Sequence, residues 1–148
     1  IAPAPTASDD AVFGFERVAV TPGEQGVARW EPSTAATPER ARRFYEGSLG
    51  LAPIGLKPDG KFTYDCGGAT LALFPKEGGT KADHTAVSFR VPDIAAAIIA
   101  LKRAGVTFED YDFPGLKTVE HVCVLGAEKA AWFLDTEGNI LCLHEDLA

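Results

Sequence analysis

Three histidines, His84, His121 and His144, and three cysteines, Cys66, Cys123 and Cys142, are the side chains best suited to proton transfer, nucleophilic attack or metal ligation. The richest polar segment is the loop Glu109–His121, where Asp110, Asp112, Lys117, Glu120 and His121 flank a Phe113-Pro114-Gly115 turn. Beside a cleft, such a loop can act as a lid that delivers His121 as general acid or base, with Glu120 or Lys117 handling charge. His121 and Glu120 are accordingly the candidate catalytic residues; the competing reading is a solvated surface loop. Cys142 has His144 two residues along on the same strand face. A thiol becomes a nucleophile only when its pKa is lowered, however, and packing is the commoner role of a buried cysteine. Cys66, ahead of Gly67-Gly68, reads as strand and turn. The run Gly55-Leu-Lys-Pro-Asp-Gly60-Lys61 has the spacing of a phosphate loop, but Phe62 stands where Ser or Thr is needed. No helix follows to cradle an anion, so nucleotide binding is set aside.

These side chains need a scaffold, and 148 residues suit one domain or two small associated modules. Hydrophobic residues at 46 % and charged residues at 24 % fit a globular core and argue against disorder or a coiled coil. Lys plus Arg total 14 against 21 Asp plus Glu, a net charge of −7, which disfavours a nucleic-acid partner. The densest basic cluster, Arg40, Arg42 and Arg43, runs straight into Phe44, Tyr45 and Glu46 and reads as the solvated side of a helix. The longest apolar run, Ile94–Leu101, falls far short of the roughly 20 residues that span a bilayer, so no membrane partner is expected. The cysteines are widely spaced with no CxxC, which points to a reducing cytoplasm.

Residues 1–25 read as an N-terminal extension, partly flexible, with a strand-like piece at Val12–Val20. From Gly26 one pattern occurs twice, over 26–80 and 81–148, the two copies together making one domain. The first has an extended stretch near Val27–Thr34, then Thr37 as N-cap and Pro38 at the first helical position. This helix carries Ala41, Phe44 and Tyr45 and stops at Gly50. Strands follow around Ala52–Leu56, Phe62–Cys66 and Thr70–Phe74, with Pro58-Asp59-Gly60 turning between the first two. In the second copy Val87, Phe89 and Val91 alternate with Ala86, Ser88 and Arg90. Pro92-Asp93 opens a helix carrying Ile94, Ala97, Ile98 and Leu101, ended by Gly105, and strands follow near Thr107–Tyr111, Ala130–Leu134 and Ile140–His144. Asp65-x-x-Gly68-x-x-Leu71-x-Leu73 recurs as Asp135-x-x-Gly138-x-x-Leu141-x-Leu143. The expectation is an α+β fold of two tandem βαβββ modules.

Arg43-Phe-Tyr-Glu-Gly-Ser-Leu-Gly-Leu51, Phe89-Arg-Val-Pro-Asp-Ile94 with Leu101 to Gly105-Val106, and Trp132-Phe-Leu-Asp-Thr-Glu-Gly-Asn-Ile140 resemble the vicinal-oxygen-chelate superfamily. That superfamily includes glyoxalase I, bleomycin-resistance proteins and extradiol dioxygenases; the resemblance covers about residues 26–146. Tyr111-Asp-Phe-Pro-Gly-Leu-Lys-Thr118 is similar to a loop of small bacterial glyoxalase-like proteins. The resemblance implies a curved mixed sheet around a cleft. In metal-dependent members it also implies a ligand, typically His, Gln or Glu, on the first and last strand of each module. Here those positions fall on Ala86 and Cys142 in the second module, and on Ala72 and on Trp30 or Pro32 in the first. No metal-ligand set and no cofactor is therefore expected, with a divalent metal left open. His84 and His144 each lie two residues from a lost position, but in parallel strands their offsets separate them by roughly 13 Å, too far to share an ion.

By strand parity the cleft is lined by Trp30, Tyr64, Phe74, Ala86, Ser88, Arg90, Trp132 and Cys142, with Lys117 contributed by the loop. Trp and Tyr would give an apolar wall with polar handles for a planar organic ligand. The resemblance thus implies a small-molecule-binding protein lacking the standard metal ligands, with a metal-independent lyase or isomerase as its enzymatic form. The alternative is a drug- or metabolite-sequestering protein of the bleomycin-resistance type; a metal-dependent glyoxalase I or dioxygenase fits least. Family habit adds a homodimer as an expectation.

Overall fold

Phe62, Tyr64 and Cys66, and likewise Leu71 and Leu73, recur at every second position and are buried, as strands packed on a helical layer require. The computed structural model describes residues 16–17, 25–30, 39–66, 69–76, 79–80 and 83–147, with the backbone alone for 16–17, 25–30 and 69. Its first part comprises β1 (Glu16–Arg17), β2 (Gln25–Trp30), α1 (Glu39–Arg42) running into a π-helical turn (Arg43–Ser48), β3 (Ala52–Leu56), β4 (Phe62–Cys66) and β5 (Ala69–Pro75). The second comprises β6 (Thr85–Arg90), α2 (Ile94–Arg103), β7 (Phe108–Glu109), β8 (Asp112–Phe113), β9 (Leu116–Lys117), β10 (Cys123–Leu125), β11 (Glu128–Leu134) and β12 (Ile140–Asp146). The fold is mixed α+β. Among the described residues no helix is long and apolar enough to cross a membrane.

The two sheets repeat one topology, with the first strand of each unit lying parallel beside its last. One runs β2-β5-β4-β3, the other β6-β12-β11-β10, with β1 added antiparallel to the free edge of β6. The helices are built from local signals. Asp93 caps α2 by accepting from the Ala96 N–H. At its other end Gly105, with φ 93°, lets Val106 N–H reach Leu101 O and Gly105 N–H reach Lys102 O, the paired bonds of a Schellman stop. Gly50, with φ 72°, plays the matching part after the first helix. The expected cap Thr37-Pro38 lies outside the described residues.

Two expectations need correction. The second unit's strand at Thr107–Tyr111 ends at Glu109 and resumes at Cys123: β7 pairs Phe108 with Phe133, and β10 pairs Cys123 with Ala130 along the same edge of β11. Residues 110–122 leave the sheet between them and form the β8–β9 hairpin and a second tight turn. The recurrence of Asp65 and Asp135 is one of spacing and not of place. Tyr64 pairs with Leu71 but Phe133 pairs with Leu141, so the second turn is one residue longer and the two aspartates face opposite ways.

That shift puts Asp135 on the helical side, where it joins the two modules. Its carboxylate accepts from the Tyr45 hydroxyl, from Asn139 Nδ2 and from the backbone N–H groups of Glu137 and Asn139. Burial, with the Asp135 charge beside it, holds the Tyr45 phenol protonated as the donor. Around this pair the first helix reaches into the second unit: Phe44 packs on Phe133 at 6.3 Å, and Arg40 forks onto Glu137 with both contacts at 2.8 Å. One core therefore runs through both modules. Asp135→Ala strands four donors in a buried setting and is expected to cost about 3 kcal/mol, whereas Tyr45→Phe, which leaves Asp135 three partners, costs about 1 kcal/mol. Urea denaturation checks both, and an Asp135→Ala variant as stable as the wild type would refute the role given to this carboxylate.

Candidate functional site

Leu141 and Leu143 point to the helices, so Cys142 and His144 point to the other face of the second sheet, and pairing extends that face sideways. Across β11, Trp132 lies opposite Cys142 and Ala130 opposite His144; across β6, Ser88 lies beside Cys142 and Arg90 beside His144. The expected residues Ser88, Arg90, Trp132 and Cys142 are thus brought together. His144 belongs with them: it is buried, and its Nδ1 is 2.8 Å from Ser88 Oγ. Tyr111, at the start of the excursion, stacks edge-on against Trp132 at 5.6 Å and closes one side. Burial raises the Tyr111 phenol, helped by Glu109 and Cys142.

A bulge shapes the first strand. Ile140 pairs with Thr85 and Leu141 with Val87, so Ala86 is the extra residue between them. The bulge shifts the alternation by one, and Thr85 accepts the Trp132 indole N–H at 3.2 Å. His84, beyond the bulge, stands out in solvent 4.0 Å from Asp83. His84 thus precedes the strand and does not join His144 on this face.

The other expected residues lie elsewhere. Tyr64 is fully buried on the helical side, donating to Glu46 at 2.9 Å, and belongs to the core and not to a cleft. Its neighbours Phe62 and Glu46 both meet Arg42 on α1, which explains the parity error: β4 turns its aromatics to the helical side and Thr63 and Asp65, also buried, to the opposite face. Phe74 sits under the Lys61 ammonium at 5.3 Å on the first module, beside a groove of about 470 Å³ lined by Ile54, Lys57, Thr63 and Thr70. Trp30 is on β2, and its side chain lies outside the described residues, as does Pro32. Lys117 is exposed on β9.

His121 and Glu120 occupy the helical side. They form the two-residue turn between Val119 and Val122, with φ of 73° and 51°, a left-handed backbone that costs about 1 kcal/mol or more per non-glycine residue. His121 stacks on Phe108 at 5.7 Å, accepts from Lys102 Nζ at 3.2 Å on Nε2, and donates Nδ1–H to Asp110 at 3.0 Å. Beside it runs a groove of about 480 Å³ between α2 and the turn. The structure therefore separates His121 from the Trp132–Cys142 face.

The family-type ligand positions within the described residues do not fit a metal. Ala72 and Ala86 carry no donor atom, and the Cys142 thiol donates to Leu143 O at 3.2 Å, with burial pushing it up to about 11. The two units define a tandem βαβββ fold. The chain belongs to the Glyoxalase/Bleomycin resistance protein/Dioxygenase superfamily, whose model matches residues 33–143. A glyoxalase family protein from Bacillus anthracis is similar in fold, with 18 % identity, a TM-score of 0.64, and coverage of 88 % of this chain and 98 % of that one. TnmS3, an antibiotic binding protein from Streptomyces sp. CB03234, is 17 % identical over 87 % of this chain and 98 % of its own, with a TM-score of 0.58. A lactoylglutathione lyase from Agrobacterium tumefaciens is 14 % identical over 82 % and 91 %, with a TM-score of 0.57. At these identities the likeness shows the fold. No curated protein matches the chain.

At pH 8 a thiol raised to about 11 is ionised in about one molecule per thousand. Cys142 should therefore resist alkylation by iodoacetamide in the native protein at that pH and react faster as pH climbs. Mass mapping of the labelled cysteines checks this, and rapid labelling of Cys142 at pH 7 would contradict it.

Proposed function

We propose that the chain is a small-molecule-binding member of its superfamily, working without the family-type metal ligands, and that its ligand lies on the second-module face bounded by Tyr111, Trp132, Ser88 and Cys142. The observation that carries this is the Tyr111–Trp132 edge-on pair beside Cys142, a family-type ligand position that here holds a protonated thiol. Aromatic walls with a few polar handles suit a planar organic molecule, and the formal charge of −7 favours a cationic one. The antibiotic-binding neighbour supports the sequestering form of this reading. A metal-independent lyase or isomerase is the second reading, favoured by one feature: the Asp110–His121–Lys102 string fixes a single imidazole tautomer beside a groove.

Titrating a panel of planar aromatic ligands, metal-free bleomycin among them, against tryptophan fluorescence separates these readings. Saturable one-to-one quenching that disappears in Trp132→Phe but survives in Trp30→Phe, with no chemical change in the ligand, is expected. Turnover of a panel compound that falls at least tenfold in His121→Ala would favour the second reading instead. Quenching unaffected by Trp132→Phe would remove the proposed face from consideration.

A further inference from the structure

We infer that Glu128, His144 and Asp146 form a divalent-cation site at the far end of this face. Their ligand atoms lie within 4.8 Å of one another. The register explains why: Glu128 pairs with Asp146, and His144 sits two pairs inward on the same face, opposite Ala130, whose side chain is small. Two donors on one ion, each about 2.0–2.2 Å from it, stand about 3–3.5 Å apart, so closure needs a shift of about 1 Å. Asp146, exposed at the end of β12, and Glu128, half-buried at the start of β11, are placed to make it.

The histidine is the independent observation. Its side chain is 9 % exposed, and Ser88 Oγ at 2.8 Å accounts for Nδ1. Nε2 makes no hydrogen bond among the described residues; the Asp146 Oδ1 atom is 3.8 Å away, beyond hydrogen-bonding reach. With Nδ1–H donated to Ser88, the Nε2 lone pair points at the two carboxylates, the arrangement in which a neighbouring group orients a ligating imidazole. A neutral imidazole and two carboxylates carry a charge of about −2, which a divalent cation neutralises. Arg90 sits 3.7 Å from Asp146 Oδ2, so it competes for the far oxygen and leaves Oδ1 toward His144. One nitrogen and two carboxylate oxygens suit Zn²⁺, Co²⁺, Mn²⁺ or Fe²⁺ and not a soft monovalent ion. The site is distinct from the position of Cys142, from which it is displaced by about 6.7 Å along the strand.

The site goes beyond the ligand-binding proposal and is tested without any organic ligand. Chelator-stripped full-length protein is titrated with Co²⁺, read by its visible bands, and with Zn²⁺ in competition with a chromophoric chelator. One equivalent per chain is expected. Binding should weaken about 10- to 100-fold in His144→Gln and in Asp146→Asn, about tenfold in Ser88→Ala, and stay within about twofold in His84→Ala and His121→Ala. Asp146 is exposed, so its variant keeps the fold and isolates the ligand effect. No binding at about 100 µM metal, far above a useful affinity, or equal binding by Asp146→Asn and the wild type, overturns the proposal. So does loss of the ion in His84→Ala or His121→Ala.

Discussion

What the second module can offer a ligand depends on the parallel pairing of β6 with β12. A strand must send alternate side chains to opposite sides, and once Leu141, Leu143, Val87 and Phe89 are committed to the helical core, Cys142, His144, Ser88 and Arg90 are committed to the other face. The parallel register then sets Ser88 beside Cys142 with His144 one step on, which is what lets Ser88 Oγ meet the imidazole. A slip of one residue would exchange the two sets, burying a histidine among leucines and exposing the core. The bulge at Ala86 is tolerated because it falls at the start of the strand, where it turns Thr85 toward Trp132 and leaves the rest of the ladder intact.

The face rests on a floor that is not its own module's alone. The first helix, wound into a π-helical turn at Arg43–Ser48, brings the adjacent residues Phe44 and Tyr45 both inward. Phe44 meets Phe133 on β11, and Tyr45 reaches Asp135 just beyond that strand's end. Because Trp132 lies between Phe133 and Ala131, both fully buried, its backbone is held from beneath by this shared core. The indole is then fixed from the sides by Thr85 and Tyr111. A rigid aromatic wall of this kind loses little freedom when a flat ligand settles on it.

Much of this was legible in the residues. Val87, Phe89 and Val91 against Ser88 and Arg90 gave the right faces of β6, and β3 and β4 run over the residues read from their turn and alternation. The same alternation places His144, and after it Asp146, on the face of Cys142, so the acidic end of β12 belongs to that face. Parity tells which residues share a side, but not which side faces the helices, and Tyr64 was lost to the core for that reason. A bulge is invisible to counting, so nothing in the residues foretells that Thr85 turns toward Trp132. The excursion 110–122 hides most: its polar residues read as one loop over a cleft, whereas Tyr111 packs on the open face and His121 on the helical one. Only the three-dimensional path of a segment leaving the sheet between β7 and β10 divides them.

The chain has three histidines, and each reports on a different surface: His84 on solvent, His121 on the helical side, His144 on the second-module face. A long-range ¹H–¹⁵N spectrum of the imidazoles, recorded as metal-free bleomycin is added, therefore tests directly where this protein engages its ligand. The account predicts that the His144 resonances shift in step with the Trp132 indole while those of His84 and His121 stay in place. Movement of His121 with His144 unchanged would contradict it and transfer the function to the groove beside α2.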